Sequence, residues 1–432
     1  MAKEILRTPE EDFYIVTTSS SIDDRTLVLK HGDTFAVFDL FGDIGAHGAG
    51  DGGLYHRDTR HLSRFRLRVG DVRPVLLSSS VSKDNSILSV DLTNADITAG
   101  DVVAVPHGTL HLFRAKLLWE GVCHEQVRIH NYGHLPVSLP MHIDISADFA
   151  DIFEIRGINR AKRGRVVAPI KDDDVLEFGY VGLDDCLRRT KIVFDPAPHR
   201  MDEKGACFDL RIGPGDIAQY EWDVHCELGD QPETHSFTGF TRAAENVAHF
   251  MEPTTTSCKS ITTGNAMFDR WVERSLADLR MLRTETRFGS YAYAGIPWFS
   301  TVFGRDGIIT AMEALWFDPA IARGVLSYLA ATQADSDSAE NDAQPGKILH
   351  EQRAGEMAML GEVPFKAYYG SIDSTPLFVM LAGAYYQRTG DRAFANELWP
   401  HVERALAWID DYGDMDGDGF VEYARRRQDG LL

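Results

Sequence analysis

The sequence predicts a two-part protein, in which an antiparallel β-sandwich is followed by a domain of paired helices. In the first half, short runs that alternate polar and apolar residues, such as Arg64–Val69, recur between Gly-Asp turns. From Phe268 onward, apolar residues repeat instead at helical spacing. We therefore expect a β-sandwich domain over residues 10–232, a linker over 233–262 and a helical domain over 263–432.

Length, charge and cysteine content exclude several classes of protein. A chain of 432 residues is expected to hold about two or three domains. The net charge of −21 argues against a nucleic-acid partner, because phosphate binding needs clustered cations. No apolar run is long enough to span a membrane, and Met1–Glu11 has no apolar core of a signal peptide. The five cysteines are odd in number and widely spaced, which favours reduced thiols in the cytoplasm and neither a zinc site nor a disulfide framework.

The strand and helix signals are local and specific. Thr26–Lys30 and Thr34–Phe38 are rich in β-forming residues, and His31-Gly32-Asp33 between them predicts a hairpin. Asp318-Pro319 predicts a helix start, with aspartate as the cap and proline at the first helical position. Gly390 is expected to end the fourth predicted helix, and Asp391 to cap the fifth. Short connections between these helices indicate antiparallel pairs.

The segment Gly295–Gly307 carries the clearest functional signal. It places Trp298 and other aromatic residues before Arg305 and Asp306, at the start of a helical pattern. Aromatic faces pack against the C–H surfaces of sugars, while guanidinium and carboxylate groups hydrogen-bond to neighbouring hydroxyls. A helix start adds free backbone N–H groups. The alternative interpretation is a capped helix in which Arg305 and Asp306 form a local ion pair.

Three further polar clusters fall between predicted helices, namely Gly346–Arg353, Tyr368–Asp373 and Asp414–Glu422. All are expected at one end of the helical array, where paired carboxylates would suit glycoside hydrolysis. The alternative is that each cluster only caps or closes a loop. The acidic run resembles the start of a calcium loop, but Arg425 stands where a carboxylate is needed. We expect a tight acidic turn there, no metal site and no cofactor.

At this point the sequence resembles glycogen-debranching proteins of the amylo-α-1,6-glucosidase type, in which an N-terminal β-domain precedes an (α/α)6 barrel. In the first half the resemblance lies in Asp51–Ser63 and Asp148–Gly157. In the helical half it lies in Gly295–Asp306, Gly346–Glu356, Gly370–Phe378 and Asp416–Tyr423. It implies a fold of an antiparallel β-sandwich followed by an (α/α)6 toroid, which we expect to be incomplete in this chain.

The resemblance also implies a substrate and a set of contacts. The partner would be an α-glucan or oligosaccharide, and the Arg305–Asp306 pair would hold a terminal glucose by its O4 and O6 hydroxyls. Trp298 would form an aromatic wall. The remaining residues placed along the pocket are His350, Glu351, Tyr369 and Asp373.

The catalytic carboxylates are not assigned by the resemblance. In such barrels the general acid follows the fifth hairpin helix and the base comes later, so we expect neither within residues 1–432. The leading hypothesis is an α-glucan debranching glycoside hydrolase, present here without its acid and base. The alternatives are a non-catalytic carbohydrate-binding protein and a related (α/α)6 exo-glycosidase, such as a trehalase-like or mannosylglycerate-type hydrolase.

Overall fold

A computed structural model describes residues 4–7, 14–17, 25–45, 50–100, 102–229, 237–251 and 261–423. Within these ranges, strands dominate up to Leu228 and helices dominate from Ala266, as the sequence predicts. We call the first region the β-domain and the second the helical part. We predicted from Met1–Glu11 that the chain has no signal peptide, and most of these residues lie outside the described ranges. Cys258 also lies outside them. No helix among the described residues is long and apolar enough to cross a membrane.

The described part of the β-domain contains one eight-stranded sheet, two four-stranded sheets and two two-stranded pairs, β1–β2 and β10–β11. The eight-stranded sheet has the order β15-β16-β17-β20-β13-β12-β9-β8, and the four-stranded sheets have the orders β18-β19-β14-β7 and β3-β4-β5-β6. All the pairings in these sheets are antiparallel. The strands are β1 (Glu4–Arg7), β2 (Tyr14–Thr17), β3 (Leu27–His31), β4 (Thr34–Phe38), β5 (Gly53–His56), β6 (Thr59–Leu62), β7 (Arg64–Val69), β8 (Val75–Val81), β9 (Ile87–Thr93), β10 (Ile97–Ala99), β11 (Val102–Val105), β12 (Leu110–Trp119), β13 (Val122–Asn131), β14 (Val137–Ser146), β15 (Arg165–Lys171), β16 (Val175–Val181), β17 (Leu187–Asp195), β18 (Arg200–Asp202), β19 (Gly205–Ile212) and β20 (Ile217–Leu228).

The core of the β-domain lies between these sheets. Alternate residues of β7, including Phe65 and Leu67, and of β9, including Val90, face a shared apolar cluster with residues of β14 and β20. This alternation is the period-two pattern that identified the strands in the sequence. The predicted hairpin is confirmed as β3–β4, in which His31 pairs with Thr34.

Most of the described helices lie in the helical part, which also contains a few short strand pairs. The helices are α1 (Ile152–Ile155, within the β-domain), α2 (Phe240–Met251), α3 (Ala266–Leu282), α4 (Gly304–Ala314), α5 (Pro319–Ala331), α6 (Glu356–Met359), α7 (Ser374–Thr389) and α8 (Arg392–Trp408). A 3-10 turn covers Pro364–Lys366 and a π-helical turn covers Ile409–Gly413. The strands are β21 (Arg283–Thr286), β22 (Gly289–Ala292), β23 (Val302–Phe303) and β24 (Glu351–Gln352). Helices α4, α5, α7 and α8 pack around one apolar core.

The helix ends follow the predicted signals. Asp318 caps α5 by accepting a hydrogen bond from the amide of Ala320, and Pro319 is the first helical residue. Gly390 ends α7 with a left-handed backbone (φ 67°), a conformation in which a β-carbon would be strained. Asp391 then caps α8 through the amide of Phe394.

One helix lies where the sequence suggested a linker. Within residues 233–262, α2 packs against the β-domain by burying Ala243 and Val247 beside Leu117 of β12. Residues 230–236 and 252–260 lie outside the described ranges. This part of the expected linker is therefore an amphipathic helix, because its apolar residues recur at helical spacing against a sheet.

The β-domain and the helical part share a third apolar cluster. Phe35 and Tyr55 from the β-domain stack at 4.6 Å, and Phe153 stacks on Phe365 of the helical part at 5.2 Å. Met357 of α6 is buried in the same cluster, and its amide donates to the carboxylate of Asp151 in the β-domain. This interface positions the loops that carry the predicted site.

Candidate functional site

The short strand pair β23–β24 brings two of the predicted polar segments together. Phe303 pairs with Glu351, and the amide of Gly304 donates to the carbonyl of His350 over 2.8 Å. Helix α4 begins at Gly304, where a β-carbon would lie 1.9 Å from the carbonyl oxygen of Leu349. Only glycine allows the helix to start this close to the neighbouring chain.

Arg305 pairs with a residue on another helix. Its Nη1 donates to Oδ2 of Asp373 over 3.2 Å, and the two side chains are 46% and 37% exposed. Solvent and a ligand therefore reach both groups. The Asp373 side chain makes no capping hydrogen bond to α7, although it directly precedes that helix, and it accepts instead from the Ser371 hydroxyl and from Arg305.

These contacts set the charge of Asp373. Burial opposes its ionisation, but the hydrogen bonds from Ser371 and Arg305 outweigh that effect, so the pKa of Asp373 lies below its ordinary value. The alternative that Asp373 serves only as a helix cap does not fit this geometry. Its carboxylate instead faces the cation that begins α4.

The predicted local pair of Arg305 with Asp306 is not what the structure contains. Successive residues on a helix point about 100° apart, so adjacent side chains in the first turn diverge. Among the described residues, the half-buried Asp306 has no hydrogen-bond or ion-pair partner. Its charge acts on His350 and on the buried Tyr291, whose hydroxyl holds the carbonyl of Phe303.

His350 completes a group that we call the Arg305 cluster, namely Arg305, Asp306, His350 and Asp373. Nδ1 of His350 is buried and has no hydrogen-bond partner among the described residues. Burial is the main reason that the pKa of His350 is lowered, and the Arg305 cation lowers it further. The cluster thus joins an exposed ion pair, a free carboxylate and a neutral imidazole.

Trp298 lies at the edge of this region, against the β-domain. Its ring packs on the interface apolar cluster, with the guanidinium of Arg156 5.9 Å from the ring centroid. Phe299, which the sequence analysis did not select, is about half exposed and touches Phe303 with a ring-centroid distance of 5.7 Å. Phe303 in turn lies 5.9 Å from the ring of His350. A row of aromatic rings therefore leads from Trp298 to the Arg305 cluster.

Two other predicted contacts are already engaged within the protein. The buried carboxylate of Glu351 accepts a hydrogen bond from Nε of Arg353 over 2.7 Å, and burial raises the pKa of Glu351 although Arg353 opposes the shift. The hydroxyl of Tyr369 donates to the carbonyl of Thr332 inside the helical core. In this arrangement both side chains stabilise the loops, Glu351 through one carboxylate oxygen and Tyr369 through its hydroxyl.

A polar cavity of about 410 Å3 lies beside β23, between the β-domain and the helical part. We call it the interface cavity. Tyr293 on its wall donates to Asp33 over 2.8 Å, and Tyr328 donates to Gln352 over 2.7 Å. Its volume falls within the usual range of about 300–1,000 Å3 for ligand pockets. Other lining residues include Arg57, Asp58, Thr301 and Lys366.

The acidic run near the end of the described chain forms the expected tight turn. The carboxylate of Asp414 accepts hydrogen bonds from the amides of Gly417, Asp418 and Gly419. The carboxylate oxygens of Asp414, Asp416, Asp418 and Glu422 all lie within 4.8 Å of one another. Hard cations prefer such oxygen sets, yet the amide contacts alone account for the shape of the turn. Arg425 lies outside the described residues.

Sequence comparison relates the β-domain to a known family. Residues 29–223 match the family model described as the N-terminal domain of (some) glycogen debranching enzymes. The β-domain is therefore similar in sequence to the N-terminal domain of these enzymes. A comparison with curated protein sequences gave no match.

Structural comparison extends the likeness into the helical part. A putative kojibiose phosphorylase from the human microbiome superposes with a TM-score of 0.55 at 8% identity. The superposition covers 88% of this chain and 56% of that one, so the chain spans little more than half the length of its neighbour. At this identity the match shows a shared fold alone. A putative aldose 1-epimerase from Escherichia coli K12 covers 47% of this chain at 10% identity, and its TM-score of 0.25 is too low to support any argument.

Proposed function

We propose that this chain belongs to an α-glucan-directed glycoside hydrolase of the amylo-α-1,6-glucosidase, or debranching, type. In this proposal the helical part contributes to an (α/α)6 toroid, and the Arg305 cluster holds the non-reducing glucose of the substrate. The family match of residues 29–223 and the fold shared with a phosphorylase over most of the chain support it.

The composition of the Arg305 cluster carries the proposal. A sugar ring presents neighbouring hydroxyls that both donate and accept hydrogen bonds. The exposed guanidinium of Arg305 donates and the carboxylates of Asp306 and Asp373 accept, while the imidazole of His350 lies beside them. Phe299, which is about half exposed and packs on the buried Phe303, adds ring surface on one side.

The cluster is proposed to bind and not to transfer protons. A general acid needs a raised pKa, but the ion pair lowers that of Asp373. Glu351 has a raised pKa, yet Arg353 occupies its carboxylate. The proposed hydrolysis proceeds with inversion, which places acid and base about 6.5–9.5 Å apart on other loops of the complete site. By fixing the glucose, the cluster would contribute to the rate through positioning.

A second candidate is a carbohydrate-binding protein without turnover. One observation favours it: the pKa of Asp373 is lowered, whereas an acid catalyst needs a raised pKa. Calorimetry with maltoheptaose, together with an assay for glucose released from a branched limit dextrin, separates the two. Binding with glucose release supports the hydrolase, and binding without release supports the second candidate.

Arg305→Ala is the decisive variant for the site, and the chain offers a matched control. Arg323 pairs with Asp391 over 2.7 Å, and like Arg305 it is about half exposed and faces the residue before a helix. We expect Arg305→Ala to weaken maltoheptaose binding by about ten-fold or more, since a hydrogen bond to a charged group contributes about 1.5–3 kcal/mol. Arg323→Ala should bind like wild type. Equal affinity of wild type and Arg305→Ala would refute the assigned site.

A further inference from the structure

A second cavity, of about 460 Å3, has a different lining from the interface cavity. We call it the side cavity. It opens where the ends of β3 and β12 meet helix α2 and the last turn of α3. It shares no lining residue with the Arg305 cluster or with the interface cavity. The residues that matter below are His31, Trp119, Glu120, Phe250 and Arg280.

Three aromatic rings form one wall of the side cavity. The ring of His31 lies 4.5 Å from that of Trp119, and the ring of Phe250 lies 5.4 Å from both. Phe250, near the end of α2, is 52% exposed, an unusual state for a phenylalanine that has ring partners. The wall thus presents apolar ring surface to the solvent-filled space.

The imidazole of His31 is held in one orientation. Its Nδ1 accepts a hydrogen bond from the amide of Glu120 over 3.2 Å. Burial lowers the pKa of His31 to about 4, so the ring is neutral at pH 7 and carries its proton on Nε2. The wall therefore includes a fixed donor beside the aromatic faces.

The polar lining carries both signs of charge. Arg280, at the end of α3, is exposed and has no ion pair or hydrogen bond to the described residues, and the exposed carboxylate of Glu120 has none either. Asp84 and Glu285 add carboxylates to the lining, and Lys30 and Arg283 add basic groups, of which Arg283 pairs with Glu285. An anionic ligand would meet these acids as well as Arg280, and the chain as a whole carries −21. A neutral ligand rich in hydroxyls would satisfy donors and acceptors together.

From this geometry we propose that the side cavity is a second binding site for a neutral oligosaccharide, separate from the Arg305 cluster. Sugar rings would pack on Trp119 and Phe250, with hydroxyls hydrogen-bonded to Arg280, Glu120 and Nε2 of His31. The choice of an α-glucan as the oligosaccharide rests on the proposed function. A second site would keep a long polymer attached while its end occupies the Arg305 cluster, which raises the local concentration of chain ends.

The test is calorimetric titration of the whole chain with maltoheptaose. Wild type is expected to bind two molecules per chain. Phe250→Ala and Arg280→Ala, both at exposed positions, should each weaken one of the two binding events about five- to ten-fold and leave the other unchanged. Trp271→Ala is the matched control, because Trp271 is an exposed aromatic residue of α3 that does not line the cavity.

Arg305→Ala makes the two proposals separable. It should remove the other binding event and leave the one that depends on Phe250 and Arg280. A single event that Arg305→Ala abolishes, with no effect of Phe250→Ala or Arg280→Ala, would overturn the second site and support the proposed function. A single event that Phe250→Ala and Arg280→Ala weaken, and that Arg305→Ala leaves unchanged, would support the second site and overturn the role of the Arg305 cluster. Absence of any binding would overturn both.

Discussion

The guanidinium of Arg353 donates a hydrogen bond to the carboxylate of Asp58 over 2.8 Å, and this buried pair joins the helical part to the β-domain. Asp58 occupies the turn between β5 and β6 with a left-handed backbone (φ 63°), a conformation that aspartate tolerates better than most residues. Its second oxygen accepts from the amide of Ala354. Arg353 also holds Glu351 and the carbonyl of Trp298. One side chain therefore links the domain interface to the aromatic edge of the proposed site.

Loss of this arginine should destabilise the protein strongly. Arg353→Met leaves the carboxylates of Asp58 and Glu351 buried without a cation, and removing one partner of a buried pair costs about 3–5 kcal/mol. Denaturant unfolding should show a midpoint far below that of wild type. Arg211→Met is the control, because Arg211 is 77% exposed beside Asp209 and its loss should leave the midpoint unchanged. Equal midpoints for wild type and Arg353→Met would contradict a structural role for the pair.

A glycine at the interface is expected to tolerate no side chain. A β-carbon on Gly355 would lie 2.5 Å from Oδ2 of Asp151 and 3.0 Å from the β-carbon of Asp58. Both aspartates are buried and hydrogen-bonded, so neither can move away cheaply. Gly355→Ala should lower the free energy of unfolding. Gly383→Ala, within α7 where the added carbon meets nothing, should raise it by about 0.5–1 kcal/mol. Similar effects of the two variants would argue against the tight interface.

A buried lysine makes stability depend on pH. Lys30 donates to the Thr284 hydroxyl over 2.8 Å, and burial lowers its pKa from 10.5 to about 7, although Asp33 opposes the shift. Between these two values the unfolded chain binds a proton that the folded chain has released. This contribution to the free energy of unfolding therefore rises with pH from about 7 toward 10.5.

Lys30→Met isolates that contribution. The free energy of unfolding of wild type, measured by urea titration at several pH values, should increase relative to that of the variant as the pH is raised above 7. A difference between the two proteins that stays constant, or that shrinks with rising pH, would show that the amine is protonated in the folded state.

Arg305 and Asp373 should act on sugar binding as a unit. Each holds the other in place, so Arg305→Ala, Asp373→Ala and the double variant form a cycle with strong coupling. We expect the double variant to bind maltoheptaose about as weakly as the weaker single variant. The cycle of Arg323 and Asp391 serves as the control and should leave binding unchanged. Additive losses in the first cycle would mean that the two residues bind the ligand independently.

Features that depend on residues close together in the sequence were predicted correctly. The caps at Asp318 and Asp391 and the stop at Gly390 were predictable because each acts within a few residues. Helix α2 was missed because threonine- and serine-rich sequence nearby suggested a linker. Its helical period, with Ala243 and Val247 on one face, was present in the sequence and could have revealed it.

In the candidate site, the sequence indicated several of the residues but not the contacts between them. Sequence reasoning selected Arg305, Asp306, His350 and Asp373, which the structure brings together, but it did not foresee the ion pair between Arg305 and Asp373. Phe299 was overlooked, even though it lies in the same motif as Trp298. The resemblance placed Glu351 along the pocket, and nothing in its sequence neighbours predicts that Arg353 donates to it inside a buried interface.

By itself, the sequence determined the order of strands and helices, the helix ends and the segments that carry polar residues, because periodicity and capping depend on neighbours along the chain. Only the tertiary structure decided which of those polar groups remain free. Arg305 reaches Asp373 across 68 positions, and Arg353 reaches Asp58 across 295. Such pairings depend on how whole elements pack, and packing determines whether a charge serves the fold or stays available to a ligand.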